Sequence, residues 1–253
     1  MSSLYRLAIW ACLAAVMVFL YAPLLPPLWE AFRNPTTGTF TLDNFVAITT
    51  DGTLLGALRN SVLLAIIVGI AAPLLALAAA LAVRHFRSKR MIITILLLPL
   101  FIPGVSMGVS SALFFKLVGI SPSLLTMATV QTLWALPFAF LIILTIMSSF
   151  DTIFLEAAYT CGSNRWQAFL DVELPQMSQG LQGAAIFSVI ISFNETIRTA
   201  VVQGGNNTVQ TYIWSKYQQV GLSPNMYALM STIIIVTLLL ILALLALGRE
   251  QKR

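Results

Sequence analysis

The chain has 253 residues, of which 58% are hydrophobic and 9% are charged, with a formal net charge of +5. Its mean hydropathy is +0.90. This composition excludes an ordinary soluble domain, whose surface needs far more charge, and indicates a protein that lies in a lipid bilayer.

Membrane spans are the first elements that the sequence predicts. A helix needs about 20 mostly apolar residues to cross roughly 30 Å of hydrocarbon. Six such runs lie between charged segments, at residues 7–28, 61–83, 91–115, 124–147, 180–197 and 227–247. We therefore expect an all-α fold, a polytopic bundle of six transmembrane helices. The first run is too long for a signal peptide and has no small-residue cleavage pattern, so it is read as a retained span.

The placement of Lys and Arg predicts the orientation, because cytoplasmic loops retain these residues. With the N-terminus inside, nine lie on the inner side: Arg6, Arg84, Arg87, Lys89, Arg90, Arg165, Arg249, Lys252 and Arg253. Five lie on the outer side: Arg33, Arg59, Lys116, Arg198 and Lys216. Both termini are expected in the cytoplasm. Orientation also explains the basic clusters, so no nucleic-acid partner is expected.

The predicted division of the chain follows these spans. Residues 1–56 form the first span and an outer loop, residues 57–248 form a core of five spans, and residues 249–253 form a basic cytoplasmic tail. Within the third span, Pro99, Pro103 and Gly104 break or kink the helix. Such a break suits the wall of a solute pathway, although a simple packing kink fits the sequence equally well.

No catalytic or metal-binding set is evident in the sequence. His85 stands in a short basic loop without a Cys, His or carboxylate at ligand spacing. Cys12 and Cys161 fall in a predicted span and a predicted loop, so they are not expected to form a disulfide. The chain lacks a phosphate-binding loop of the Gly-x4-Gly-Lys type. If the protein uses ATP, another chain binds it.

The segment 148–179 between the fourth and fifth spans is longer than a simple connection and carries helix signals. Asp151 can cap a first helix, and Gly162 is placed to follow its last turn. Asn164 and Gln167 have the spacing of a capping box for a second helix, which Leu174-Pro175 is expected to end. The sequence predicts a folded two-helix elbow outside the bilayer.

A spaced motif runs through this elbow: Glu156-Ala157-Ala158, then Gly162, then Val172-Glu173-Leu174-Pro175. It resembles the EAA motif of the permease subunits of ATP-binding-cassette importers. The resemblance extends over about residues 57–247 and is closest to the polyamine (spermidine/putrescine) type. It implies a type I importer permease fold in which the elbow is a coupling helix that docks on a cytoplasmic ATPase. Small alanines, an acidic anchor and a turn glycine suit such a contact surface.

The same resemblance implies the rest of the assembly. This chain would be a noncatalytic, multi-pass subunit of a bacterial inner membrane importer that binds no cofactor, while ATP and Mg are bound by the partner ATPase. The expected partners are a second permease subunit, two ATPase copies, an extracytoplasmic solute-binding protein, a small organic solute and the lipid bilayer. Import would follow alternating access driven by ATP.

The candidate solute pathway lies late in the fifth span, at Ser192, Asn194, Glu195 and Arg198. A carboxylate in hydrocarbon costs about 2.5–3.5 kcal/mol on insertion scales, so Glu195 is expected to face water, a partner or solute. The resemblance places Asn194 and Glu195 where polyamine permeases carry two adjacent acids. Arg198, one turn later, either neutralises Glu195 or binds an anionic group of the solute.

These residues favour a small amine-containing or zwitterionic solute, with a polyamine as one possibility. An ion-coupled secondary carrier or channel that uses Glu195 is the alternative function. An intramembrane enzyme has the least support, because no metal set or nucleophile with its base is evident.

Overall fold

The computed structural model describes residues 3–86 and 88–250, and describes side chains for residues 5–84, 86 and 88–239. The predictions for His85, Arg87 and the basic tail at residues 249–253 lie outside the described side chains. Within the described residues the fold is all-α, and the one β feature is an isolated bridge between Arg33 and Phe40.

The helices follow one another through short connections. Their bounds are α1 Ser3–Tyr21, α2 Leu25–Glu30, α3 Asp43–Thr50, α4 Gly52–His85, α5 Lys89–Leu97, α6 Gly104–Leu117, α7 Leu124–Ser148, α8 Ile153–Thr160, α9 Arg165–Ala168, α10 Leu174–Asn194, α11 Ile197–Val202, α12 Val209–Val220 and α13 Pro224–Glu250. Short 3-10 turns at Ala22–Leu24 and Leu98–Phe101 and a π turn at Phe169–Glu173 join neighbouring helices.

Each of the six predicted spans overlaps one helix or a pair of helices. By length and hydropathy, three helical segments of the described residues qualify as membrane spans: Tyr5–Glu30, Gly52–Arg84 and Leu124–Ser148. The third predicted span is α5 and α6, a pair that qualifies as a fourth span when counted together and bends by 104°. The expected break is therefore confirmed. It lies at Pro103, which has an extended ψ of 138° and immediately precedes the first residue of α6.

Two units divide the chain, residues 1–54 with 215–253 and residues 55–214. In the first unit, α13 packs on α2 and α3. The Ser231 hydroxyl donates to the Pro27 carbonyl at 2.9 Å, and the buried Asn44 amide donates to the Ala31 carbonyl at 2.9 Å. The sequence-based division groups the last span with the core, and in the structure this span packs on α2 and α3.

The second unit has its core among α4, α7 and α10. Small side chains on α4 let the helices approach closely, because an alanine adds little bulk beyond the backbone. The fully buried residues of this core include Ala72, Ala76, Ala80, Ala139, Phe140, Ile143 and Ala184. The elbow lies at the N-terminal end of α10 in this core. At the other end of α10 the chain breaks again before α11.

Candidate functional site

The first helix of the elbow, α8, is capped at both ends by short-range contacts. Asp151 Oδ1 accepts the Ile153 N–H at 3.0 Å. After the helix ends at Thr160, Gly162 adopts φ +90°, a left-handed conformation that glycine reaches without steric cost. The Gly162 N–H donates to the Tyr159 carbonyl and the Ser163 N–H donates to the Ala158 carbonyl, both at 3.0 Å. This pair of bonds is a Schellman motif, so the predicted turn at Gly162 is confirmed, and the Asp151 side chain binds the first turn of α8 as predicted.

The second helix begins with the predicted capping box. Asn164 Oδ1 accepts the Gln167 N–H, and Gln167 Oε1 accepts the Asn164 N–H, each at 2.9 Å. The prediction that Leu174-Pro175 ends this helix is wrong. The chain stays helical from α9 through the π turn into α10, with Pro175 in the first turn of α10. The wider π turn removes the need for a proline N–H and relieves its ring from the preceding carbonyls.

The motif residues of the elbow lie at the surface. Glu156, Ala157 and Gly162 are exposed and Ala158 is half-buried. Beside them on α8, the apolar side chains of Ile153 and Phe154 are 64% and 53% exposed. An exposed set of apolar side chains beside an acidic group is typical of a protein contact surface.

An ion pair with a buried carboxylate joins the elbow to the core. Glu173, the last residue of the π turn, is 2% exposed, and both of its carboxylate oxygens accept hydrogen bonds from Arg84 near the end of α4. The bond from Arg84 Nη2 to Glu173 Oε2 is 3.1 Å long. Sequence reasoning missed this pair, because the two residues are 89 positions apart.

At the other end of α10, the helix breaks after Asn194 and resumes as α11 at Ile197. The predicted fifth span, which ran to residue 197, was therefore too long. Glu195 lies in the break and is only 5% exposed. Its carboxylate accepts the backbone N–H of Arg198 at 2.9 Å and the Arg198 guanidinium at 2.8 Å. Of the alternatives that the sequence left open, the structure shows Glu195 paired with Arg198.

The Arg198 side chain is enclosed by its neighbours. Its Cζ atom lies 3.6 Å from the centroid of the Trp134 ring, and its buried Nε has no hydrogen-bond partner among the described residues. A methyl group added at Gly104 would lie 3.2 Å from Cζ, and one added at Gly108 would lie 3.2 Å from the Arg198 Cα. The first two turns of α6 therefore contact Arg198 directly, so α6 begins beside the residue that pairs with Glu195.

A buried polar network adjoins this pair. Gln131 on α7 is fully buried, and its amide donates to Thr199 Oγ1 at 2.9 Å. The Ser192 hydroxyl donates to Gln131 Oε1 at 2.6 Å. The three side chains satisfy one another across α7, α10 and α11, so the predicted residue Ser192 belongs to a shared polar cluster with Glu195 and Arg198 close by in the chain.

The structure separates one predicted site residue from the others. The Asn194 side chain is exposed, and its amide donates back to the Ile190 carbonyl at 2.9 Å. Gln131 and Trp134 were missed, although a glutamine within an apolar span was a signal in itself, since buried amides in membranes require partners.

Two grooves lie near the broken span. One, of about 360 Å³, is bounded by α6 and α7 and includes Ser110, Ser111 and Thr129 in its wall. The other, of about 420 Å³, follows α6 and includes Lys116 and Gly119. Glu195 and Arg198 line neither of these two grooves, and their side chains are 5% and 11% exposed.

Comparison with known proteins places this geometry in context. Residues 52–249 match the family described as the binding-protein-dependent transport system inner membrane component. The spermidine/putrescine transport system permease protein PotC of Escherichia coli (strain K12) is 22% identical over 247 residues, covering 95% of this chain and 94% of PotC.

Solved structures share the fold. A bacterial ABC transporter involved in the import of the acidic polysaccharide alginate matches with a TM-score of 0.77 and 12% identity, covering 99% of this chain and 98% of that chain. A bacterial alginate ABC transporter in complex with an alginate pentasaccharide-bound periplasmic protein matches with a TM-score of 0.68 and 17% identity, covering 99% and 94%. The fold is thus that of ABC importer permeases.

Proposed function

The chain belongs to the inner membrane components of binding-protein-dependent transport systems, and from this premise we propose that it carries a small amine-containing or zwitterionic solute inward under the control of a separate ATPase. Its proposed partners are a second permease subunit, two ATPase copies and a solute-binding protein. The termini are proposed to lie in the cytoplasm of a bacterium, on the side of the elbow, as the Lys and Arg distribution indicates.

The elbow carries the proposal for coupling. Glu156, Ala157 and Gly162 are exposed beside an apolar patch, while the helices beneath them are capped and anchored. A surface of this kind can dock on a partner without first having to fold. In this proposal ATP binding by the partner moves the elbows, and the spans change from inward-facing to outward-facing.

Copurification tests the coupling role. Glu156→Lys reverses the charge on the exposed surface of α8, and its matched control is Asp171→Lys, an exposed acid of the neighbouring π turn. We expect the ATPase to copurify with the wild-type chain and the control but to be lost from the Glu156 variant. A wild-type chain that transports solute without any ATPase would overturn the proposal in favour of an ion-coupled carrier or channel.

The Glu195–Arg198 pair supports the proposed solute class. The two side chains together carry no net charge, and each can exchange its partner for a group of opposite charge on the solute. A zwitterion supplies both groups at once, whereas a dicationic polyamine would leave Arg198 without an anion. The similar protein PotC is named a spermidine/putrescine permease, so an amine remains part of the proposed solute. Of the two acid positions that the resemblance to polyamine permeases implies, however, this chain keeps only Glu195 and has Asn194 at the other.

The pair is nearly buried in this structure, so the proposal includes a conformational change that gives solute access to it. Neither groove reaches Glu195, and the side chain of Arg198 is 11% exposed. The two adjoining helix breaks, at Pro103 and at Glu195, are positions where the backbone can bend without breaking a continuous helix. We propose that alternating access opens the pair by movement at these breaks.

Uptake by the assembled transporter tests the solute class. Radiolabelled putrescine and radiolabelled glycine serve as probes of a dication and a zwitterion, in cells that depend on this transporter. Glu195→Gln and Arg198→Gln should each change the ratio of the two uptake rates, with Asn60→Ala as a control distant in sequence from the pair. Uptake ratios that stay unchanged in both variants would sink the role of the pair in solute selection.

A further inference from the structure

One face of α10 is buried along its length, and this buried face begins in the elbow. Its members recur at the spacing of an α-helix, and the buried positions are Glu173, Met177, Gly180, Ala184, Ser188 and Ser192. The preceding buried residue is Ala168, which lies five positions before Glu173. Five is the spacing of a π turn, which joins residue i to residue i+5.

The hydrogen bonding agrees with this spacing. The Leu174 N–H donates to the Phe169 carbonyl, a bond across five residues. The π turn therefore keeps the buried face of α9 in line with that of α10, although the two helices differ by one residue from a regular α-helical repeat. Asp171, within the same turn, is exposed. The turn thus places Glu173 in the buried core and Asp171 at the surface.

The buried acid, Glu173, pairs with a cation from another helix. Arg84 binds the Glu173 carboxylate with both terminal nitrogens, and this fork geometry fixes orientation as well as distance. The Arg84 side chain is 29% exposed and that of Glu173 is 3% exposed. The pair therefore joins α4 to the junction of α9 and α10, at the base of the elbow.

We propose that Arg84 and Glu173 are positioning residues for coupling: they hold the elbow, α4 and the first turn of α10 as one rigid unit, so that displacement of the elbow moves both spans. This inference rests on the proposed function, because it requires an ATPase to displace the elbow. The ion pair connects the elbow, whose exposed surface is proposed to bind the ATPase, to the core. Without it, the elbow can tilt while the spans stay in place.

Spin-label distances test the rigid unit directly. Labels at Thr160 on α8 and Phe86 after α4, in a chain with Cys12→Ser and Cys161→Ser, report the separation between the elbow and α4. In the wild-type chain the distance distribution should be narrow and should stay unchanged when ATP and vanadate trap the bound ATPase. Glu173→Gln should broaden the distribution and shift it on trapping, while Asp171→Asn should have no effect.

Coupling is read from ATP hydrolysis by the assembled complex in proteoliposomes. Glu173→Gln should retain the bound ATPase and its basal rate but lower the stimulation by the loaded solute-binding protein about tenfold, the size of a typical coupling between sites. Arg84→Lys keeps the charge and loses the fork, so it should fall between the wild type and Glu173→Gln. The reversed pair Arg84→Glu with Glu173→Arg should recover most of the stimulation.

The outcomes separate this inference from the proposed function. If the wild-type chain binds no ATPase, the proposed function is wrong. Spin-label distances in the isolated chain would still test whether the elbow, α4 and α10 form a rigid unit. If Glu173→Gln does not fold, the Arg84→Lys variant and the reversed pair provide the same comparison. Unchanged distances and unchanged stimulation in Glu173→Gln, or equal losses in Asp171→Asn, overturn the inference.

Discussion

The guanidinium of Arg198 lies over the indole ring of Trp134, with Cζ 3.6 Å from the ring centroid. A cation over an indole face is worth about 0.5–2 kcal/mol, with the larger values in desolvated sites. Trp134→Leu should therefore lower the midpoint of thermal unfolding in detergent, whereas Trp134→Phe, which keeps a ring, should lower it less. Equal effects of the two substitutions would show that the ring face does not stabilise Arg198.

The buried Glu195–Arg198 pair should show strong coupling between its members. Removal of one partner leaves a buried charge without compensation and costs about 3–5 kcal/mol. Glu195→Gln should thus destabilise the chain strongly, and adding Arg198→Met should restore much of the loss because no charge is then buried. Thermal unfolding of the two single variants and the double variant measures the coupling. Additive losses would contradict a direct ion pair.

Gln131 should be the most sensitive polar residue of α7. Its amide serves both Thr199 and Ser192, so Gln131→Leu leaves two buried hydroxyl groups without a partner at about 1–3 kcal/mol. Gln182→Leu on α10 is the matched control, since that side chain is exposed. The unfolding midpoint should fall for the first variant alone. A similar change in both would remove the case for a specific network.

Gly108 should not tolerate a methyl group, because its neighbour is backbone. A Cβ at this position would lie 3.2 Å from the Arg198 Cα, and relieving that crowding by shifting α11 costs about 1–3 kcal/mol. A Cβ at Gly183, also within a helix, would meet Ile142 at an ordinary 3.8 Å. Gly108→Ala should lower stability and Gly183→Ala should raise it slightly through helix propensity. An equal rise in stability in both variants would show that Gly108 does not lie close to the Arg198 backbone.

Gly162 should matter through its backbone conformation. At φ +90° an L-residue with a Cβ is strained by about 1–2 kcal/mol. Gly162→Val should unwind the end of α8 and reduce copurification of the ATPase, while Gly162→Asn should retain more of it because asparagine tolerates left-handed conformations. Equal retention by the two variants would show that the turn is not required for docking.

The sequence predicted best what depends on neighbouring residues. The capping box of Asn164 and Gln167 and the turn at Gly162 are local devices, and each was predicted from spacing alone. The break at Pro103 was also predictable, because proline acts on its own helix.

Long-range contacts were beyond such reasoning. The ion pair of Arg84 with Glu173 joins distant helices, and nothing in the spacing of either residue indicates the other. The π turn was missed for a related reason. Leu174-Pro175 is a strong stop signal, and only the packing of α10 on the core shows why the helix continues through it. The sequence therefore indicated candidate residues for the site, but only the folded structure showed which of them pair with one another.

The five-residue interval from Ala168 to Glu173 also affects how changes in chain length would act. Each residue of a helix turns the chain by about 100°, so deleting one residue from this interval would swing the elbow around the axis of α10 while leaving every motif residue intact. The direction in which the docking surface points is therefore encoded by a residue count. Relatives that keep the motif but differ in this count would present the same surface to a different place.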